Sequence, residues 1–361
     1  MSEFKVGVIG YGLSAKVFHI PFINSTPGLR LHAIVQRSPQ PGNSAPLDHP
    51  HLAAHYTSAA ALIADPAVDV VVITATPDTH FELTRQALLA DKHVLTEKPF
   101  VPTSAEARVL ADLARERQRV VCVYQNRRWD ADFLLARHLV AAGTLGRVLE
   151  VDTHFARYKA DAPAGWKAAL GVSSAGTVLY DLGAHLIDQA FVLFGAPSAV
   201  RGRLIAQRGP GAWETEHPDA VVAELAYDTG LVVNVRISLL SVELDQPRFW
   251  IRGDRGSFSS LNLDPQEDQL RDGMAPTDEG YGVLNRDTMR LTVLGDDGVP
   301  VRAEVPHLEP ETYREFYRKF THSLRTGNDD DVPVKVEDAI QVLRIIEAII
   351  ESAKTGKDVL L

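Results

Sequence analysis

The chain has 361 residues, 45% of them apolar and 23% charged, with 37 Lys and Arg against 47 Asp and Glu for a net charge of −10. This composition excludes a disordered or collagen-like chain, and it argues against a dedicated duplex-DNA binder, which needs a basic face. No apolar run approaches the roughly 18 residues of a membrane span, and the one cysteine, Cys122, excludes an intramolecular disulfide framework and a zinc site built on several thiolates.

At roughly 100–200 residues per domain the length predicts two or three domains. The start, MSEFKVGVIG, has no basic stretch, long apolar core or cleavage site, so a cytoplasmic protein is expected. Val6–Ile9 reads as a strand, a helical stretch runs from Ser14 toward Ile23, and Leu31–Val35 is the next strand. Val68–Thr74 is apolar throughout, as a strand buried on both faces must be. Then come a helix over His80–Ala90, a strand at His93–Thr96, a helix over Ser104–Glu116 opened by Thr103 or Ser104, and a strand at Val120–Val123. Strands alternating with helices predict a Rossmann-type parallel sheet.

After about Asn126 the pattern changes. A helix is predicted between Asp130 and Ala142, then strands at Leu149–Phe155, Val200–Ile205, Val221–Ala226, Leu231–Ser238, Phe249–Arg252, Leu291–Leu294 and Val301–Val305. Asp228-Thr229-Gly230 marks a hairpin turn. Residues 261–290 are rich in Asp, Pro and Gly and read as a long loop, and helices return at Glu311–Leu324 and Val336–Ala353. The fold class is therefore α/β, a dinucleotide-binding domain over residues 1–125 and an α+β domain with a mostly antiparallel sheet over residues 126–361. The last helices are expected to pack near the domain interface.

The first strand leads into Gly10-Tyr11-Gly12-Leu13-Ser14-Ala15, a GxGxxA loop that opens a helix. Gly10 permits the tight turn, Gly12 lets backbone approach a pyrophosphate, and Ala15 allows close helix–strand packing. Leu13 and Ser14 lie at the helix N-terminus that faces the anion. The second strand ends in Gln36-Arg37-Ser38, where NAD-binding chains commonly place an acid for the ribose hydroxyls. An absent acid beside Arg37 and Ser38 favours the 2′-phosphate of NADP, with NAD still possible.

Three further stretches carry chemistry. Thr74–His80 follows the buried strand, where Thr76, Pro77 and His80 can border a nicotinamide; His80 equally suits a structural hydrogen bond at a helix start. Glu97-Lys98-Pro99 also follows a strand, and Lys98 there either donates to a substrate oxygen or is a surface lysine in a turn. Over Gly176–Phe194, residues Leu179, Leu182, Leu186, Ala190 and Phe194 give an apolar helical face. Asp181 and His185, four apart, share another face and suit proton transfer with a hydroxyl, or form an exposed pair. No clustered ligand set suggests a metal.

The glycine loop, Lys98 within Glu97-Lys98-Pro99, and Asp181 with His185 together resemble the family named after glucose–fructose oxidoreductase, inositol dehydrogenase and the rhizopine catabolism protein MocA. The likeness covers almost the whole chain. It implies that Lys98, Asp181 and His185 form the catalytic set, that Glu97 and Asn126 border the cofactor, and that a cis Lys98–Pro99 bond is allowed. It also implies an open second sheet through which homodimers or homotetramers assemble. Residues 16–22 and 263–267 look like a subgroup containing NADP-dependent scyllo-inositol dehydrogenases. The expected activity is hydride transfer between NADP and a secondary alcohol of a cyclic polyol or sugar. Tyr158 and Trp166, beside Arg157, are candidates to line the sugar site or to serve ordinary packing. The alternatives are a sugar or keto-sugar reductase of the same family and a catalytically silent NADP-sensing regulator.

Overall fold

A computed structural model describes residues 3–208, 211–213 and 215–361. The chain forms two compact units. One comprises Met1–Asn126, Gln266–Tyr281 and Thr312–Ile340; the other comprises Arg127–Pro265, Gly282–Glu311 and Gln341–Leu361. No helix among the described residues is long and apolar enough to cross a membrane.

Among the described residues the first unit is built on six strands: β1 (Phe4–Ile9), β2 (Leu29–Val35), β3 (Ala54–Tyr56), β4 (Val70–Ile73), β5 (His93–Glu97) and β6 (Val121–Tyr124). All pair in parallel, in the order β3-β2-β1-β4-β5-β6. The order reverses between β1 and β4, and in such sheets ligands bind beyond the carboxyl ends of the strands at that point. Every residue of β4 is buried, because helices cover both faces. The helix Ser104–Arg117 begins at Thr103, whose hydroxyl accepts from Glu106 N–H at 3.2 Å while Glu106 accepts from Thr103 N–H at 3.1 Å. That reciprocal cap resolves the choice between Thr103 and Ser104.

The late segments of this unit are anchored by aromatic packing. Tyr317, on the helix Tyr313–Thr326, stacks on Phe22 with centroids 5.4 Å apart, and Phe316 meets Tyr124 edge-on at 4.9 Å. Residues 261–290 are less irregular than their composition predicts. They include a helix at Gln266–Arg271, and Gln266 Oε1 accepts from Tyr313 N–H at 2.9 Å. Its partner lies far along the chain, so local periodicity carries no trace of it.

Among the described residues the second unit holds ten strands: β7 (Val148–Ala156), β8 (Ala199–Ala206), β9 (Ala212–Trp213), β10 (Ala220–Ala226), β11 (Val232–Ser238), β12 (Pro247–Gly253), β13 (Gly256–Leu261), β14 (Met289–Leu294), β15 (Pro300–Ala303) and β16 (Val359–Leu360). Their order is β15-β14-β13-β12-β7-β11-β10-β8-β16, with β9 on β8. β7 and β11 run parallel, so the sheet is mixed, while the other pairings among the described residues are antiparallel. Asp228-Thr229-Gly230 closes the β10–β11 hairpin as expected, with Gly230 at φ +81°. Strand β13 escaped the reading because Gly256, Ser257, Ser259 and Ser260 have weak strand preference. It forms because β12 and β14 flank it and Phe258 is buried.

A buried ionic network fastens this sheet to its helices. Arg248 on β12 is 1% exposed. Its Nε lies 3.0 Å from Asp132 Oδ2, and its other nitrogens donate to Thr153 Oγ1 at 3.0 Å and Gln189 Oε1 at 2.6 Å. Arg128 grips Asp188 with two bonds of 2.8 and 2.7 Å. Replacing Arg248 alone by Met strands the Asp132 carboxylate, and we expect a loss of about 3–5 kcal/mol, read as a lowered thermal midpoint. Adding Asp132→Asn is expected to return part of that loss.

Candidate active site

In the first unit the glycine loop sits at the end of β1. Gly10 has φ +107°, and a Cβ there would meet Thr74 Oγ1 at 2.7 Å and Thr74 O at 3.0 Å. Only glycine fits, since the backbone is left-handed and the end of β4 is in contact. A Cβ on Gly12 would meet nothing within 4 Å, so that side of the loop is open. The helical turn that follows first closes with Lys16 N–H to Gly12 O at 3.2 Å. Its earlier N–H groups have no intrahelical acceptor and suit an anion. These features fit a dinucleotide pyrophosphate.

Beyond β2 the roles divide between neighbours. Gln36 is committed to its own loop, donating to Asn43 O at 2.8 Å and accepting from Ala45 N–H at 2.7 Å. Arg37 and Ser38 are exposed. After β4, Thr76 opens a short 3₁₀ turn, Pro77–Thr79, with Pro77 buried. His80 is 1% exposed, with Nδ1 2.8 Å from Pro99 O and Nε2 3.1 Å from Ala75 O. Burial holds this imidazole below its ordinary pKa. The His80 ring thus lies between a carbonyl of the turn after β4 and one of the lysine loop, and the single N–H of the neutral imidazole donates to one of them.

Glu97 ends β5, Lys98 is half-buried and the Lys98–Pro99 bond is cis. The Glu97 carboxylate accepts from Ser14 Oγ, from His19 Nε2 at 3.0 Å and, through its other oxygen, from Lys98 N–H at 2.9 Å. Burial alone would raise its pKa. The His19 bond and charge, with Lys98 and Ser14, outweigh burial and hold it below the usual carboxylate range. Asn126 is buried just beyond β6. The involvement of His19 was not read from the sequence. Its local signals are its place within the subgroup-like segment 16–22 and Pro21, a proline inside a helical pattern.

In the second unit the Asp181–His185 stretch departs from a regular helix. A π-turn spans Leu179–Gly183 and an α-helix follows over Ala184–Phe194. Such turns recur at functional sites. A Cβ on Gly183 would meet Leu179 Cδ1 at 3.1 Å and Ile237 Cδ1 at 3.2 Å, so glycine lets the turn lie close to β11. The two residues do not form an exposed pair. His185 is 5% exposed, whereas Asp181 is partly open and its Oδ2 accepts from Lys167 Nζ at 2.9 Å. Lys167, another residue not foreseen, also lies over the Trp166 ring at 5.3 Å. Tyr158 and Trp166 are exposed, and Tyr158 bridges to Leu240. The His185 helix is held by Arg128 at Asp188, and by Gln189 Nε2 donating to Arg127 O at 2.7 Å.

The structure therefore gathers the glycine loop, Arg37, Ser38, Thr76–His80, Glu97, Lys98 and Asn126 in one unit, and Tyr158, Trp166, Asp181 and His185 in the other. Residues 4–125 match the model of an oxidoreductase family's NAD-binding Rossmann fold, and residues 137–361 match that family's C-terminal alpha/beta domain. The scyllo-inositol 2-dehydrogenase (NADP(+)) IolW of Bacillus subtilis is 34% identical over 99% of this chain and 96% of its own. A 1,5-anhydro-D-fructose reductase from Ensifer adhaerens is 26% identical over 72% of this chain and 77% of that enzyme. The solved structure of the YvaA oxidoreductase of Bacillus subtilis superimposes with a TM-score of 0.89 at 32% identity, covering 100% of both chains.

Proposed function

This chain belongs to the Gfo/Idh/MocA family of oxidoreductases, and we propose that it transfers a hydride between NADP and a secondary alcohol of a cyclic polyol or sugar resembling scyllo-inositol. The observation that carries the reading is the joint presence of an open glycine loop, Lys98 at the end of β5, and Asp181 and His185 around a π-turn. The cofactor preference rests on Gln36 and Arg37. Gln36 is spent on its own loop, while Arg37 and Ser38 stand exposed beyond β2 for a 2′-phosphate.

Bound NADP supplies the hydride acceptor for oxidation and the donor for reduction. His185 takes the hydroxyl proton during oxidation and returns it during reduction. Lys98 donates to the reacting oxygen and stabilises charge developing there. Asp181 orients the substrate or the imidazole, and Lys167 fixes its carboxylate. Tyr158 and Trp166 offer exposed rings to the apolar face of a sugar.

The test is absorbance of the reduced cofactor with NADP or NAD against a panel of inositols, sugars and sugar acids, in both directions. Turnover with NADP and a cyclic polyol is the expected result. Arg37→Ala is expected to raise KM for NADP about 10- to 100-fold, the worth of hydrogen bonds to a charged group, and to leave KM for NAD unchanged. A strong preference of the wild type for NAD overturns the Arg37 argument. A second reading, reduction of a keto-sugar, draws on the similarity to the anhydrofructose reductase. Faster initial rates in the reducing direction on keto substrates alone would select it.

A further inference from the structure

Proline 21 shapes the helix that opens at the glycine loop. It has no N–H to close on Val17, and the chain widens into a π-turn over Ala15–His19, with Ile20 N–H bonding to Ala15 O. The residue delivered to the interior is His19, which is fully buried. Both ring nitrogens are engaged. Nε2 is 3.0 Å from Glu97 Oε1, and Nδ1 is 2.6 Å from the hydroxyl of Tyr317. The ring also packs on Tyr124, with centroids 4.4 Å apart. All of these residues belong to the first unit.

We propose that His19 is a positioning residue for the dinucleotide site, holding the Glu97 carboxylate in the orientation that grips Ser14 and the backbone N–H of Lys98. The proposal rests on the reading of that site as an NADP site. Glu97 is the common acceptor. One oxygen receives His19 and Ser14, which lies at the start of the helix after the glycine loop, and the other receives the backbone of the lysine. A carboxyl group rotates readily about its last torsion. The His19 donor, braced behind by Tyr317, fixes that rotation, so the glycine-loop helix and the Lys98 loop share one clamp. Tyr317 comes from a segment almost 300 positions downstream, and its helix is packed in place by Phe22 and Tyr124.

The test compares two polar replacements that reach different ways. His19→Gln places an N–H near the position of Nε2, toward Glu97. His19→Asn places its N–H near the position of Nδ1, toward Tyr317. Binding is measured by titrating each folded protein with NADPH and following its fluorescence, and kcat is measured at saturating cofactor. His19→Gln is expected to bind within about threefold of wild type, whereas His19→Asn weakens binding about tenfold or more, as loss of a hydrogen bond to a charged group predicts. Equal affinities for wild type, Gln and Asn overturn the proposal, because a merely structural histidine would not distinguish the direction of the donor. Should His19→Asn fail to fold, His19→Met serves as the donorless comparison with the same two outcomes. A wild type that binds neither NADPH nor NADH overturns the reading of the site itself and this proposal with it.

Discussion

Replacing His185 by Ala is expected to lower kcat by about 10²- to 10⁴-fold, the usual worth of a positioned general base, with NADP affinity unchanged. The split follows from where the residue sits. His185 is in the second unit, whereas the glycine loop, Arg37, Glu97 and Lys98 are in the first. Truncation also leaves its helix held from other positions. Asp188 keeps its two bonds to Arg128, and Gln189 stays between Arg127 O and the guanidinium of Arg248. Alanine favours the helix as well. A fall in kcat in both directions, beside an unchanged NADPH titration and thermal midpoint, assigns the loss to proton transfer. His185→Gln retains size and polarity yet cannot accept and return a proton at neutral pH, so it is expected to match the alanine variant. Unchanged turnover in either variant removes His185 from that role.

The motifs that could be read were those whose meaning is local. GxGxxA between a strand and a helix requires no distant partner to be intelligible, and Gly10, read as permitting the tight turn, has φ +107°. Pattern also placed the strands with apolar alternation or continuous burial, such as β4 and β11, to within a residue or two. What escaped depends on chain returning from elsewhere. Gln36 reads as a missing acid, and only the approach of Asn43 and Ala45 reveals what it does instead. His19 lies in the subgroup-like segment 16–22, but its bonds become visible only when Glu97 and Tyr317 arrive. Arg248 falls just outside the strand expected at Phe249–Arg252 and reads as an ordinary charged residue until Asp132, Thr153 and Gln189 surround it. The π-turn at Leu179–Gly183 was not legible either, because a period of 3.6 reads Gly176–Phe194 as one regular helix and does not show that Asp181 is partly open while His185 is buried.

Lys98→Met is expected to reduce kcat by about 10²- to 10³-fold, the cost of removing a donor aimed at developing charge. Methionine keeps the length of the aliphatic stem and deletes only the ammonium group. The loop around it is held by backbone and neighbours rather than by the lysine side chain. Glu97 accepts from Lys98 N–H, and His80 Nδ1 lies against Pro99 O, so both bonds survive the substitution. Cofactor affinity should therefore stay within a few-fold of wild type in the same NADPH titration. If Lys98 acts chiefly in the transition state, kcat and kcat/KM fall together; if it only holds the ground-state hydroxyl, KM rises and kcat is spared. Lys98→Arg separates charge from placement, since the planar guanidinium keeps the positive charge but changes reach and donor directions. Recovery of most activity by arginine would mean that charge alone suffices. A loss comparable to methionine's would mean that the oxygen must be met at the position the lysine reaches.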